Sequence, residues 1–308
     1  MSALPTPTMR LRLDPLNPGH FLACCGALEL ADRAWGGAEG WFEEGAEFFC
    51  AAPIEREVSR NYGGAVLLEN LKSASLANVH MSEVQRTRLD ELSASVKKSK
   101  KNPEMTDVGA IEAANTAATA EKESLEALWD GSKDGALHLG APFHLRLDWH
   151  LDGLTGAGRF KTWAGQQNIT DIAFELKDAI GRASFNDELE WLFTRMPCQT
   201  SLHLDAIAAG TDLDIGFSFD PLKIRTAEKR ALVELLAFIG LQRFPPRPIG
   251  EEEGYTYAAW RDPLVPQVAH AAARGYGGGS AQVFHFRLLY RSKYLKSFLP
   301  AQPRRDHR

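Results

Sequence analysis

PFHLRLDWHLDGLTGAGRFKTWAGQQNITDIAFELKDAIGR, Pro142 to Arg182, carries three local patterns in one run of chain. It opens with strict alternation: Phe143, Leu145, Leu147, Trp149 and Leu151 on one face, His144, Arg146, Asp148, His150 and Asp152 on the other. A period of two marks a strand with one buried and one polar face. Gly153, Gly156 and Gly158 then signal a turn, which runs into Arg159-Phe160-Lys161-Thr162-Trp163. Beyond it Ile169, Ile172, Ala173, Leu176 and Ile180 recur at helical spacing, which predicts an amphipathic helix.

A strand, a glycine-rich turn with two cations and a helix N-terminus can together cradle a phosphate. The turn is not the phosphate loop of nucleotide hydrolases, which needs Gly-Lys-Ser/Thr so that bare backbone can wrap the phosphates. Here Phe160 precedes Lys161-Thr162, and its ring fills that space. Two readings stay open: an anion site at Arg159 and Lys161, or a hairpin-like turn with solvated cations.

Outward from this stretch, strands and helices alternate irregularly. Met9 to Leu13 alternates as a first strand, and Asn17-Pro18-Gly19 turns it. FLACCGALELADRAW, Phe21 to Trp35, is apolar except for Glu29, Asp32 and Arg33, which predicts a helix buried on most sides and stopped by Gly36-Gly37. Trp41-Phe42 and Phe48-Phe49 suggest a short strand pair. From about residue 66 to 129 the composition turns to Ala, Ser, Glu and Lys, with a basic run at Lys97, Lys98, Lys100 and Lys101. Such a segment reads as a polar helical insertion leaving the core.

Further on, Ser184 to Phe193 offers a helix start, and 202–205 and 213–219 alternate like strands. Thr226 opens a strong helix through Leu232, Leu235, Leu236 and Ile239 to Phe244, and Pro245-Pro246 and Pro248 force extended backbone after it. Tyr255 to Ala259 reads as a strand, Pro266 begins a short alanine-rich helix ending at Gly275, and Ala281 to Tyr290 is a last strand. The pattern predicts one α+β domain, an antiparallel or mixed sheet with packed helices, closed by a basic tail over 291–308.

With 308 residues the chain can bury a full core. No apolar run approaches the ~20 residues needed to cross a bilayer, and the N-terminus lacks a secretory apolar segment, so a cytoplasmic protein is expected. Cys24, Cys25, Cys50 and Cys198 have no zinc spacing and read as small buried residues. No cofactor or metal is expected. The net charge of −5 excludes a molecule basic on all sides but allows a local basic strip.

That strip has two sources. Arg159, Lys161, Thr162, Trp163, Gln166 and Gln167 are recognition-type groups around the turn. The tail sets Arg291, Lys293, Tyr294 and Lys296 beside Tyr290 and Phe298, and rings among cations suit single-stranded nucleic acid, where bases stack and phosphates are neutralised. The tail also reads as a segment packed by its rings. His144, Asp148 and His150 share the polar face of the predicted strand and raise a metal-dependent nuclease as an alternative. No nucleophile elbow and no His-Glu-x-x-His occurs, so the residues favour binding over catalysis.

Three stretches, LDPLNPGHFLACCGALELADRAWGGAEGWF (Leu13 to Phe42), LRLDWHLDGLTGAGRFKTWAGQQ (Leu145 to Gln167) and FHFRLLYRSKYLKSFLPA (Phe284 to Ala301), carry a further signal. They resemble the third Csb family of CRISPR-associated proteins, from the type I-U (type I-G) systems. His20 departs from the glutamine expected in that pattern. ELLAFIGLQRFPP, Glu234 to Pro246, is also similar to a segment of the large subunit of these systems. The resemblance implies a non-enzymatic effector-complex subunit contacting guide RNA or target DNA, other effector subunits as partners, and an RNA-recognition-motif-like core. A protein-only scaffold that docks the large subunit is the other reading of the same resemblance.

Overall fold

The computed structural model describes residues 4–43, 46–54, 63–101, 108–152, 157–163, 167–206, 228–250, 254–276, 281–290 and 296–304. Its architecture is α+β, with helices packed on several small antiparallel sheets. The expected strand at 213–219, the glycine turn at 153–156 and Thr226 lie outside the described residues.

Helix α1 (Pro18–Trp35) is the spine of the molecule. Asn17 caps it, its side-chain oxygen accepting the Gly19 amide at 3.0 Å, and Pro18 takes the first turn, where a missing N–H costs nothing. Gly36 ends it with φ 71°, where its amide donates to Asp32 O at 2.7 Å. Every residue from Pro18 to Ala31 is buried, Cys24 and Cys25 included, as the near-continuous apolar sequence predicts. The widest contact of α1 is with α6 (Ala231–Leu241), also buried throughout. The two cross at glycines. A Cβ on Gly26 would lie 2.0 Å from Leu236 O, and one on Gly240 2.1 Å from Leu22 O. Backbone therefore meets backbone, and only glycine fits there.

Around α1, β1 (Met9–Arg12), β2 (Glu39–Glu43) and β3 (Glu47–Ala51) form a sheet of order β1-β3-β2. This is a split β-α-β unit, with β3 lying antiparallel between β1 and β2. The outer edge of β1 meets a 3-10 helix (Glu188–Phe193), whose Glu188 carboxylate accepts the Arg10 amide. That 3-10 helix stands where Ser184 to Phe193 reads as an α-helix.

The polar segment is only partly an excursion. Helix α2 (Gly63–Ser73) buries Leu67, Leu68 and Leu71, and β4 (Leu76–Asn78) pairs with β5 (Leu137–Leu139), which pairs with β6 (Leu145–Leu147). The polar helices α3 (Glu83–Lys101) and α4 (Val108–Ser132) pack on each other, with Arg88 paired to Glu121 at 2.9 Å. The amphipathic helix α5 (Ile169–Arg182) is capped by Asn168, which accepts the Asp171 amide at 2.8 Å. Its apolar stripe packs on α6.

The quoted alternation holds in burial but not in strand length. Phe143, Leu145, Leu147 and Trp149 are buried, yet the strand stops at Leu147 and a 3-10 turn (Trp149–Leu151) follows. Gln242 is the cause: its Oε1 accepts the amides of Asp148 and Trp149 at 2.9 and 3.2 Å, removing them from the ladder. The turn leaves Leu151 52% exposed and rotates His150 inward to 6%.

The expected strand at 202–205 is also absent. His203 has φ 55°, which breaks extended backbone, and the Leu204 amide instead donates to Glu234 at 3.1 Å. Helix α6 begins at Ala231, later than its predicted start, because β7 (Met196–Pro197) pairs with β8 (Glu228–Lys229). Behind it β9 (Arg247–Pro248), β10 (Tyr255–Ala259), β11 (Gln282–Phe286) and β14 (Gln302–Pro303) make a sheet of order β14-β11-β10-β9. Trp260 Nε1 ties this sheet to the first by donating to Gly40 O at 2.6 Å. The short helix α7 (Pro266–Ala273) and the ribbon of β12 (Leu288–Tyr290) with β13 (Lys296–Phe298) complete the fold.

A buried polar network joins the N-termini of α1 and α6. Asn17 Nδ2 donates to Asp205 at 2.7 Å, and Arg230 lies 3.4 Å from the other Asp205 oxygen. His20 Nδ1 lies 3.0 Å from the Asp14 amide and Nε2 lies 3.2 Å from Arg230 Nη1, so a donor faces each ring nitrogen and the neutral ring accepts from one of them. Burial pushes His20 down to about 4, with Arg230 adding to the shift and Asp205 opposing it. Glu234 accepts the Ser201 hydroxyl at 2.9 Å, and burial, then the neighbouring Asp205, pushes it up to about 7.

Candidate nucleic-acid interface

Phe160 organises the basic turn from below. It ends a 3-10 helix (Ala157–Phe160) and is buried against Tyr255 and Phe298, ring centroids 4.6 and 5.9 Å away. With that ring anchored, Arg159 on one side is exposed and Lys161 on the other is half-buried. Lys161 Nζ lies 3.6 Å from Asp134 and 5.4 Å from the centroid of Trp163.

Thr162 and Trp163 point the other way. The Thr162 hydroxyl donates to Leu202 O, and Trp163 is 1% exposed, its Nε1 donating to Asp134 at 3.0 Å. Trp163 shares the core with Trp149, His150 and Phe238. It presents no face on which a base could stack, which corrects its expected role: the apolar demand of the core outweighs display.

The second half of the site comes from the far end of the chain. Lys296, on β13, donates through its amide to Thr162 O at 3.4 Å and through Nζ to Arg159 O at 2.9 Å. Burial lowers its pKa, and the Arg159 charge acts in the same direction. Tyr290 is 63% exposed, its ring 5.7 Å from Lys296 Nζ. Two segments more than a hundred residues apart thus bring Arg159, Lys296 and an open aromatic ring together, with Lys161 next along the chain and turned toward Asp134. Gln167 is exposed, whereas Gln166, Arg291, Lys293 and Tyr294 lie outside the described residues.

From Lys296 to Arg304 the tail is built into the molecule. Phe298 and Ala301 are buried, and the amides of Phe298, Ala301 and Arg304 donate to His203 O, Leu16 O and Val283 O at 3.0, 2.6 and 2.8 Å.

The histidine–carboxylate trio is broken up. His144 is exposed with φ 46°, Asp148 is bound by Gln242 and Arg146, and His150 faces inward. His150 Nε2 lies 3.3 and 3.2 Å from the carbonyls of Asp134 and Gly135, and burial lowers its pKa. Among the described residues no group of three or more His, Cys, Asp or Glu side chains is placed to hold a metal ion.

Asp134 is the residue sequence reasoning missed. It binds Lys161, the Trp163 indole and the Ile169 amide at 3.2 Å, so one carboxylate positions the turn and the start of α5. Its setting, Lys133-Asp134-Gly135, follows a polar segment and has no periodicity to mark it. No family model, no curated protein and no solved structure matches this chain. Among the described residues no helix is long and apolar enough to cross a membrane.

Proposed function

We propose that the chain is a non-enzymatic, cytoplasmic subunit of a type I-U (type I-G) CRISPR effector complex that contacts guide RNA or target DNA. The observation that carries this reading is this corner: Arg159 and Lys296 beside the open ring of Tyr290, with Lys161 next along the chain. Cations beside an exposed aromatic suit a single strand, whose phosphates meet the charges while a base stacks. The sequence resemblance supplies the biological setting, in which base pairing reads sequence and protein subunits hold the backbone.

The test is photocrosslinking of the purified chain, alone and with its partner subunits, to labelled RNA and DNA. Crosslinks at Tyr290 and 159–161 that fade steeply with salt are expected, because phosphate contacts release counterions. The double variant K161E/K296E should lose them. Unchanged crosslinking, or a variant that still assembles and supports interference, would favour a protein-only scaffold.

A further inference from the structure

A second basic surface lies in the groove between the C-terminal ends of α1 and α6. Two contiguous hollows of about 580 and 540 Å³ share Arg146, Gln242, Arg243 and His270 as walls. Arg33 and His144 line one, and Arg274 lines the other. Four arginines and two histidines therefore converge there on a molecule whose net charge is −5.

Two of the three wall carboxylates, Glu29 and Asp148, sit deeper than the cations they hold. Glu29 is 2% exposed and accepts from both Arg33 (2.7 Å) and Arg243, whose side chains are each 31% exposed. One buried negative charge thus fixes two guanidinium groups and leaves their outer edges open. Arg33 is steadied further by the carbonyls of Phe143 and His144, at 3.4 and 3.3 Å. Arg146, 59% exposed, pairs with Asp148, 35% exposed, at 2.7 Å. Asp152 is the remaining carboxylate of the wall. Arg274 Nε is buried with no hydrogen-bond partner. Beyond burial, the charges of Arg274 and Arg243 lower the His270 pKa, as a positive field in the groove requires.

We infer that this groove binds the phosphodiester backbone of a nucleic-acid strand. Guanidinium groups fixed in advance by a buried carboxylate lose little freedom on meeting a phosphate, and their planar forks match its oxygens in pairs. The two hollows are open and adjoin through four shared residues, which suits a chain of phosphates rather than one enclosed anion. The inference rests on the reading that the chain holds nucleic acid, and it assigns that contact a second face.

The experiment is fluorescence anisotropy of the full chain with labelled 20-nucleotide polyuridine RNA and polythymidine DNA over a salt series. The variants are R146E and H270E in the groove, K161E/K296E at the corner, and R88E on α3 as a charge control, each checked for folding by thermal unfolding. R146E should weaken binding on the order of tenfold at low salt and reduce the salt slope by about one, and H270E, which sets a negative charge among the arginines, should weaken it by a similar factor. R88E should bind like the parent chain. Parent-like binding by both folded groove variants, with loss in K161E/K296E, overturns the groove and leaves the corner standing. Loss in the groove variants with none at the corner upholds the groove and overturns the corner. A chain that binds neither strand at low salt overturns both.

Discussion

Two helix pairs in this molecule are held together by opposite means. Helices α1 and α6 cross with backbone against backbone at Gly26 and Gly240, both helices buried. Helices α3 and α4 pack on each other outside the main core, with Leu89 and Leu92 of α3 buried and the Arg88–Glu121 pair nearly half exposed. In the first pair close packing leaves no alternative arrangement, so the helices fix the positions of everything attached to their ends. The second pair is tied by exposed charges, which contribute little, so its sequence is free to vary.

The same substitution placed in each pair should therefore act in opposite directions, and the largest effect is expected at the crossing. G26A puts a methyl group where Leu236 O and Gly240 N would lie 2.0 and 3.1 Å away. Both are backbone atoms and neither can swing aside, so α1 and α6 must separate. A loss of about 3 kcal/mol or more is expected in urea unfolding. A G26A chain as stable as the parent would mean that the helices are not in backbone contact.

This contrast also separates what could be read in the sequence from what could not. The crossing helices were legible because apolar residues on nearly every position leave no solvent face, and Gly36 and Pro245 mark their ends. The alternation from Phe143 to Trp149 correctly gave the buried face. It did not give the strand's end, because Gln242, almost a hundred residues away, takes the amides of Asp148 and Trp149. Arg159, Lys161 and Lys296 were found as cations, but composition could not tell that Trp163 beside them serves the core. The arginine groove went unread for the same reason: Arg33, Arg146, Arg243 and Arg274 lie singly on separate elements, and only the fold collects them.

The next prediction concerns the charged ends of the tight pair. His20, held near 4, contributes stability that is complete above its ordinary 6.5 and is lost as pH falls toward 4. Glu234, held near 7, does the reverse: its contribution is complete below 4.5 and is lost as pH rises toward 7. Between about pH 4.5 and 6.5 the two slopes oppose each other, and the parent chain should show a shallow dependence from this network. H20Q keeps an acceptor for the Asp14 amide and removes the histidine slope. Relative to its offset at pH 7, it should gain up to about 3 kcal/mol near pH 4. Urea unfolding across this range checks it, and parallel curves for the two chains would sink the assignment.

The smallest effect is expected in the outer pair, from G131A. Gly131 lies in the last turn of α4, exposed, with no atom within 4 Å of the position its Cβ would take. Asn78 already anchors that turn by donating to Ser132 O at 2.7 Å, so the residue is helical without help from a side chain. Alanine there meets nothing and restricts the unfolded chain, which should stabilise the protein by about 0.5 kcal/mol. Thermal unfolding of G131A beside G26A reads the sign directly. Were G131A to lose stability, space around α4 would be filled, and the outer pair would have to be counted with the core.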